Sequence, residues 1–182
     1  MASGIPVQTR PEGNGMRNGI HWRALTTLDL PAVETIAALV HPNFPEDMAV
    51  FAERLRLYPE GTRLLELGGV PSGYILSHPW RFKHLPALNA LLGALPEDAD
   101  TYYVHDLALL PAARGTGAAA AIVGDILRHA RGAGFANVSL VAVNGSRPFW
   151  HKHGFRAVPA PELAEQLQSY EEAARLMVKP LV

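Results

Sequence analysis

The sequence contains no cysteine, which excludes disulfide staples, thiolate zinc sites and a nucleophilic Cys at once. That composition is compatible with a reducing compartment, and a cytoplasmic location is the expectation. Net charge is nearly absent too: sixteen Lys and Arg against seventeen Asp and Glu leave −1. No broad field is available to gather polyanions, so nucleic acid is not an expected partner. No uninterrupted apolar run approaches the roughly 18 residues of a bilayer span, so no membrane partner is expected. Residues 1–19, rich in Gly, Pro, Asn and Arg, lack the apolar middle of a secretory signal and are expected to be a disordered leader. What is plentiful is apolar content, 48% of the chain, enough for one sizeable core over residues 20–182.

Periodicity predicts the elements. His21 to Thr27 reads as a first strand, and Asp29 with Pro31 opens a helix carrying Val33, Ile36, Ala37 and Val40 on one stripe. His41, Pro42 and Pro45 break it, and Met48, Phe51, Ala52 and Leu55 give a second helix. Thr62–Leu67 and Val70–Ser77 flank Gly68 and Gly69, the sequence of a tight hairpin. His78 to Asp100 is expected to be a long connection with one short helix around Leu88 to Leu91. Tyr102 to Leu110 is a central strand ended by Pro111, and Ile122, Val123, Ile126, Leu127 and Ala130 mark a helix that packs on the sheet. Val138–Val143, Arg147–His153 and Arg175–Leu181 follow as strand, short helix and strand. The order predicts a mixed α/β sheet with helices on both faces.

The chemistry-bearing motif is Arg114-Gly115-Thr116-Gly117-Ala118-Ala119. Arg10–Gly15 and Arg131–Ala136 fit the same loose pattern, but only the Arg114 copy follows a strand and opens a helix. There, free backbone N–H groups and the positive end of the helix dipole suit a phosphate or pyrophosphate. Gly115 and Gly117 let phosphate reach the backbone, and Ala119 permits close packing beneath the turn. A nucleotide-binding P-loop is disfavoured because the turn lacks the Lys-Ser/Thr ending.

His105-Asp-Leu-Ala-Leu-Leu-Pro111, Arg114 to Ala119, Asn144-Gly-Ser146 and Phe149-Trp-His-Lys-His-Gly-Phe155 follow one another in an order that resembles the GNAT superfamily of acyl-CoA transferases. The close correspondence covers Tyr102 to Val158. The resemblance implies a mixed, mainly antiparallel sheet with splayed central strands. It also implies acetyl-CoA as cofactor, its pyrophosphate on Arg114, Gly115, Thr116, Gly117, Ala118 and Ala119. The pantetheine arm would pair with the edge of Leu107, Ala108 and Leu109 and bond to Asn144, with Ser146, Phe149 and Trp150 close by. The acceptor would be a primary amine of a small molecule or peptide, and a homodimer is a reasonable state for such a protein.

An amine with a pKa near ~10.4 must lose a proton before it attacks. His105 is the first candidate to take it, at the place where several family members carry a glutamate. Asp106 alternates to the opposite face of a regular strand, so it is expected to orient a partner unless a bulge changes the phase. Trp150 stands where the family commonly has a Tyr that reprotonates the thiolate, and indole has no accessible acidity. Two readings therefore stay open, a transferase and a non-catalytic acyl-CoA-binding or regulatory module. His151 and His153 are expected at the surface and make a poor metal pair. Trp80, Phe82, His84, Tyr102 and Tyr103 are the aromatic candidates for an acceptor pocket.

Overall fold

Gly68 and Gly69 adopt φ of +60° and +82°, the left-handed conformations that a tight hairpin turn requires. They fold β2 (Thr62–Leu67) against β3 (Val70–Trp80). The computed structural model describes residues 19–181; the expected leader falls outside the described residues, except for Gly19. Around the hairpin lie β1 (Ile20–Ala24), α1 (Leu30–Val40), α2 (Met48–Leu57), β4 (Thr101–Leu109), α3 (Ala118–Gly132), β5 (Asn137–Ala142), α4 (Arg147–Lys152), β6 (Arg156–Ala157), α5 (Ala164–Tyr170) and β7 (Arg175–Pro180).

The strands form one seven-stranded sheet in the order β1-β2-β3-β4-β5-β7-β6. Every pair is antiparallel except β4 with β5, which α3 links as a crossover. The stripes read from sequence face the core, except that Met48 at the start of α2 is exposed. Val33, Ile36, Phe51 and Leu55 pack with Leu64, Tyr74 and Leu76 on one face of the sheet. Ile122, Val123, Ile126 and Ala130 pack with Ile75, Val104, Val138 and Leu140 on the other. Each such side chain contributes roughly 1.5–3 kcal/mol by leaving water.

Four local expectations are corrected. The first strand ends at Ala24, because Asp29 accepts hydrogen bonds from the Thr26 amide and hydroxyl, both 2.8 Å, and pairs with Arg23, turning the chain early. His78–Trp80 continues β3 instead of starting a loop. No helix forms at residues 88–91: Asn89 takes φ +51°, and a segment confined by Pro86, Gly93 and Pro96 is too short to offset helix nucleation. α5 and β6 were not anticipated. α5 carries little apolar pattern and is held through its ends, where Gln166 Nε2 donates to the Leu85 carbonyl at 2.7 Å and the Tyr170 hydroxyl donates to that of Pro86.

What positions the site is the parting of β4 from β5. They pair only over Tyr102–Val104 and Val138–Leu140. Beyond that, β4 runs on to Leu109 with no partner on its β5 side among the described residues, and a cleft opens between the strands.

Candidate functional site

Leu76 of β3 pairs with Asp106, but the next residue, Ser77, pairs with Val104. His105 is therefore an extra residue, a β-bulge in β4. In a regular strand His105 and Asp106 would face opposite sides; the bulge brings both to the α1–α2 face. His105 Nε2 lies 3.1 Å from Glu46 Oε2, while Asp106 meets His41 and Tyr74. Since an ionised carboxylate only accepts, the Glu46 contact puts the imidazole proton on Nε2 and leaves the lone pair on Nδ1.

Asp106 meets His41, the residue that follows α1. His41 Nε2 stands 2.9 Å from Asp106 Oδ1, off the axis of a well-formed hydrogen bond. The Tyr74 hydroxyl donates to the other carboxylate oxygen. Asn144, at φ +52° beyond β5, donates from Nδ2 to His41 Nδ1 at 3.0 Å. His41 thus bridges the mouth of the splay from β4 to the end of β5.

Burial opposes charge on both members of the His41–Asp106 pair, and their attraction wins. The His41 pKa is raised and the Asp106 pKa lowered, the latter helped by the Tyr74 bond. A lowered carboxyl pKa stabilises the fold above the unfolded value of ~3.9, and that contribution is lost as pH falls through the folded value. A raised imidazole pKa stabilises below ~6.5, and that contribution is lost as pH rises through its folded value. Protonated His41 gives up Nδ1 as an acceptor, so the Asn144 amide turns over and offers its oxygen. The melting-temperature gap between the parent and His41→Gln should therefore be widest between about pH 4 and 6.5 and narrow on both sides. Melts across the pH range check this; a gap independent of pH would show that the pair does not act through its charges.

The turn Arg114–Ala119 joins β4 to α3. Gly115 and Gly117 take φ +75° and +87°, and Gly117 caps α3. A Cβ added at either would meet no atom within 4 Å, so the space outside the turn is open. The Thr116 hydroxyl donates to the Ala113 carbonyl at 2.7 Å and accepts from the Ala118 amide at 3.3 Å, closing the loop on itself. Arg114 is exposed, its Nε on the Leu109 carbonyl at 3.1 Å. Buried Ala118 packs beneath the turn, its carbonyl accepting the Trp22 indole N–H at 2.9 Å; Ala119, half-buried, packs against the same cluster and also lines the cleft. Of the other two pattern matches, Arg10–Gly15 lies outside the described residues. Arg131 sits in the last turn of α3, its Nε on the Leu181 carbonyl at 3.1 Å.

The cleft encloses about 570 Å³, within the usual range for small-molecule sites. Leu107, Leu109, Arg114, Asn144, Ser146, Phe149 and Trp150 line it, as do His105 and Asp106. The Ala108 side chain is directed into the α1–α2 core, so only its backbone can serve the cleft. Trp150 is buried, edge-on to Phe149 and Phe155 with ring centres 5.0 and 5.3 Å away. His151 is exposed, as expected, whereas His153 is half-buried and lines the cleft, its ring tilted by 56° against Phe149 with centres 4.6 Å apart. Open space above two left-handed glycines, an exposed Arg and an unpaired strand edge together fit a long ligand with an anionic head and an amide-bearing arm.

A second cavity of about 60 Å³ adjoins the cleft. Phe44, Glu46, Leu88, Tyr103 and Tyr170 line it, and it shares His41, His105 and Asp106 with the cleft. Of the five aromatic candidates only Tyr103 reaches it. Tyr102 faces the α3 side with its hydroxyl 2.9 Å from Ser77 Oγ, and the Trp80 indole N–H is spent on the His84 carbonyl at 2.7 Å. The plain buried histidine of this region is His78, pushed down to about 3 by burial, its Nδ1 on the Pro79 carbonyl at 3.0 Å. Sequence reading missed His41, Phe44 and Glu46. Their one signal was the doubly proline-punctuated link His41-Pro-Asn-Phe-Pro-Glu46, a stretch stiffened between two helices.

The family model of the acetyltransferase (GNAT) family matches residues 23–155. No curated protein matches the sequence. Among solved structures, the loading GNATL domain of CurA from Lyngbya majuscula is 16% identical with a TM-score of 0.72, over 90% of this chain and 98% of that one. Rv2747 from Mycobacterium tuberculosis, in complex with CoA, is 17% identical with a TM-score of 0.66, over 89% and 99% respectively. The ribosomal-protein-S18-alanine N-acetyltransferase from Escherichia coli is 17% identical with a TM-score of 0.63, over 90% and 94%. At such identities the likeness is one of fold. Among the described residues no helix is long and apolar enough to cross a membrane, and no cluster of three or more metal-ligating side chains occurs.

Proposed function

Because the chain belongs to the GNAT family of acetyltransferases, we propose that it moves an acetyl group from acetyl-CoA to a primary amine of a small molecule or peptide by direct attack. The observation that carries this reading is the splayed cleft itself, with the glycine turn at one end and the bulged His105 at the other. Arg114 to Ala119 would hold the pyrophosphate, the free edge of Leu107–Leu109 the arm, and Asn144, Ser146, Phe149 and Trp150 its flanks. Bound acetyl-CoA supplies an activated thioester carbonyl. His105 takes the amine proton on Nδ1, since Nε2 is committed to Glu46. Asp106 acts at one remove, by fixing His41.

Acetyl-CoA should raise the melting temperature, and a screen of amines should find at least one that releases thiol. A thermal shift with no thiol release from any amine would favour the non-catalytic acyl-CoA-binding module instead, a reading that Trp150 in place of a phenol keeps alive.

A thiol with a pKa near ~8.5 leaves tolerably as its thiolate without an acid, so Trp150 serves as a wall of the acetyl pocket. Trp150→Phe should keep most of the rate. Trp150→Ala should weaken acetyl-CoA binding, slow transfer and cost about 3–5 kcal/mol of stability through the cavity left among Phe149 and Phe155. Rates and melts of the two variants test this; equal damage in both would mean that the indole N–H is needed.

A further inference from the structure

We propose that the small cavity receives the ammonium end of a compact primary amine and that Glu46 is the residue that holds it, an inference that rests on His105 being the base. Only 9% of the Glu46 side chain is exposed. Its Oε2 accepts from His105, while Oε1 is buried with no hydrogen-bond partner among the described residues. A buried carboxylate oxygen left bare is costly, and a charged donor is the chemistry that would satisfy it.

No Lys or Arg among the described residues hydrogen-bonds this carboxylate. Arg54, a buried cation that feels the Glu46 charge through space, donates to Glu53 at 2.7 Å and to the Ala90 carbonyl at 3.0 Å, and forms no hydrogen bond to Glu46. His41 is matched by Asp106. The cavity is thus lined by a carboxylate to which no Lys or Arg donates among the described residues, beside the His41–Asp106 pair and walled by Phe44, Leu88, Tyr103 and Tyr170. Both phenols stay neutral, since burial raises the pKa of Tyr103 well above its ordinary value and that of Tyr170 to about 12.

Position and size are fixed as well. Asp47, next to Glu46, exchanges two hydrogen bonds with Asn89, at 2.7 and 3.1 Å, which ties the α1–α2 link to the loop carrying Leu88. About 60 Å³ accommodates roughly four non-hydrogen atoms, an ammonium and a short apolar stem.

The arrangement also keeps charge balanced while the amine is activated. R–NH3+ first pairs with the Glu46 carboxylate. The amine then passes from Glu46 to the cleft side of the imidazole, where one of its N–H bonds breaks, the proton joins His105 Nδ1, and the electron pair stays on nitrogen as the nucleophile. The imidazolium so formed still faces Glu46 through Nε2, so the carboxylate has a cation beside it before and after the transfer.

The test uses the CoA-saturated protein and two probes of equal size, propylamine and 1-propanol, followed by NMR titration. The parent should bind propylamine at least about tenfold more tightly than 1-propanol, with shifts at residues around the cavity. Glu46→Gln should bring the two probes level, and Glu46→Asp should restore part of the preference. Equal binding of both probes by the parent, or binding of neither, overturns the proposal. So does a Glu46→Gln variant that melts lower yet keeps the preference, because the carboxylate would then be only a countercharge for Arg54. The CoA-induced thermal shift of the parent separates failures: if it is absent, the acetyl-CoA reading falls; if it is present without an amine preference, only the Glu46 assignment does. Should Glu46→Gln not fold, the comparison of the two probes on the parent still decides.

Discussion

Gly117→Glu should abolish the stabilisation that acetyl-CoA gives the parent protein. Gly117 caps α3 at φ +87°, and a Cβ there meets open space. The new side chain would therefore not collide with the protein. It would project a carboxylate into the space where pyrophosphate approaches the backbone amides, adding bulk and like charge together. The backbone cost of a non-glycine residue at positive φ is about 1–2 kcal/mol, which lowers the melting temperature of the free variant without unfolding it. At about 100 times its dissociation constant, acetyl-CoA should add ~2.7 kcal/mol to the parent. For a chain of this length that is roughly 5–11 °C. The variant should show no shift. A shift that survives the substitution would place the phosphates elsewhere, and no shift in the parent would remove the cofactor assignment altogether.

His105→Ala should lower turnover by roughly 10² to 10⁴, the range for losing a positioned general base, with acetyl-CoA affinity little changed. The bulge gives this substitution a clean reading. His105 is the residue without a pairing partner on β3, so an alanine there disturbs the ladder little and removes the imidazole. The rival base is His41, which shares the cleft and sits on Asp106. If His105→Ala keeps the parental rate at neutral pH while His41→Gln loses it, the Asp106-held imidazole is the base instead. The rate profile with pH should lose its ascending limb only in the variant lacking the true base.

The sequence made the hairpin at Gly68-Gly69, the apolar stripe of α3 and the turn at Arg114 readable, because each is a local pattern with a local cause. What it did not reveal depends on distant partners. The bulge at His105 has no signature within β4, for it exists only as a mismatch of register against β3. Glu46 and His105 meet across one helix and a hairpin, and so do His41 and Asp106. β6 is two residues long, paired to β7 through Arg156 and Ala157 alone. α5 has no apolar stripe because it packs through the hydrogen bonds of Gln166 and Tyr170. In the cleft, the turn and the strand edge were anticipated from family likeness, whereas the cavity around Glu46 emerged only when the link between α1 and α2 was seen folded over β4.

The bulge also has a consequence for heredity. Val104 and Leu107 face the α3 side and Asp106 and Ala108 the α1–α2 side, which is the plain alternation of a strand with His105 left out. An in-frame insertion or loss of that single codon would add or remove one imidazole while every neighbour kept its orientation. The step between a strand that only builds the sheet and one that also presents this group to the cleft is thus one triplet long. When homologous genes are aligned, a gap at this column carries more meaning than many substitutions elsewhere in the domain.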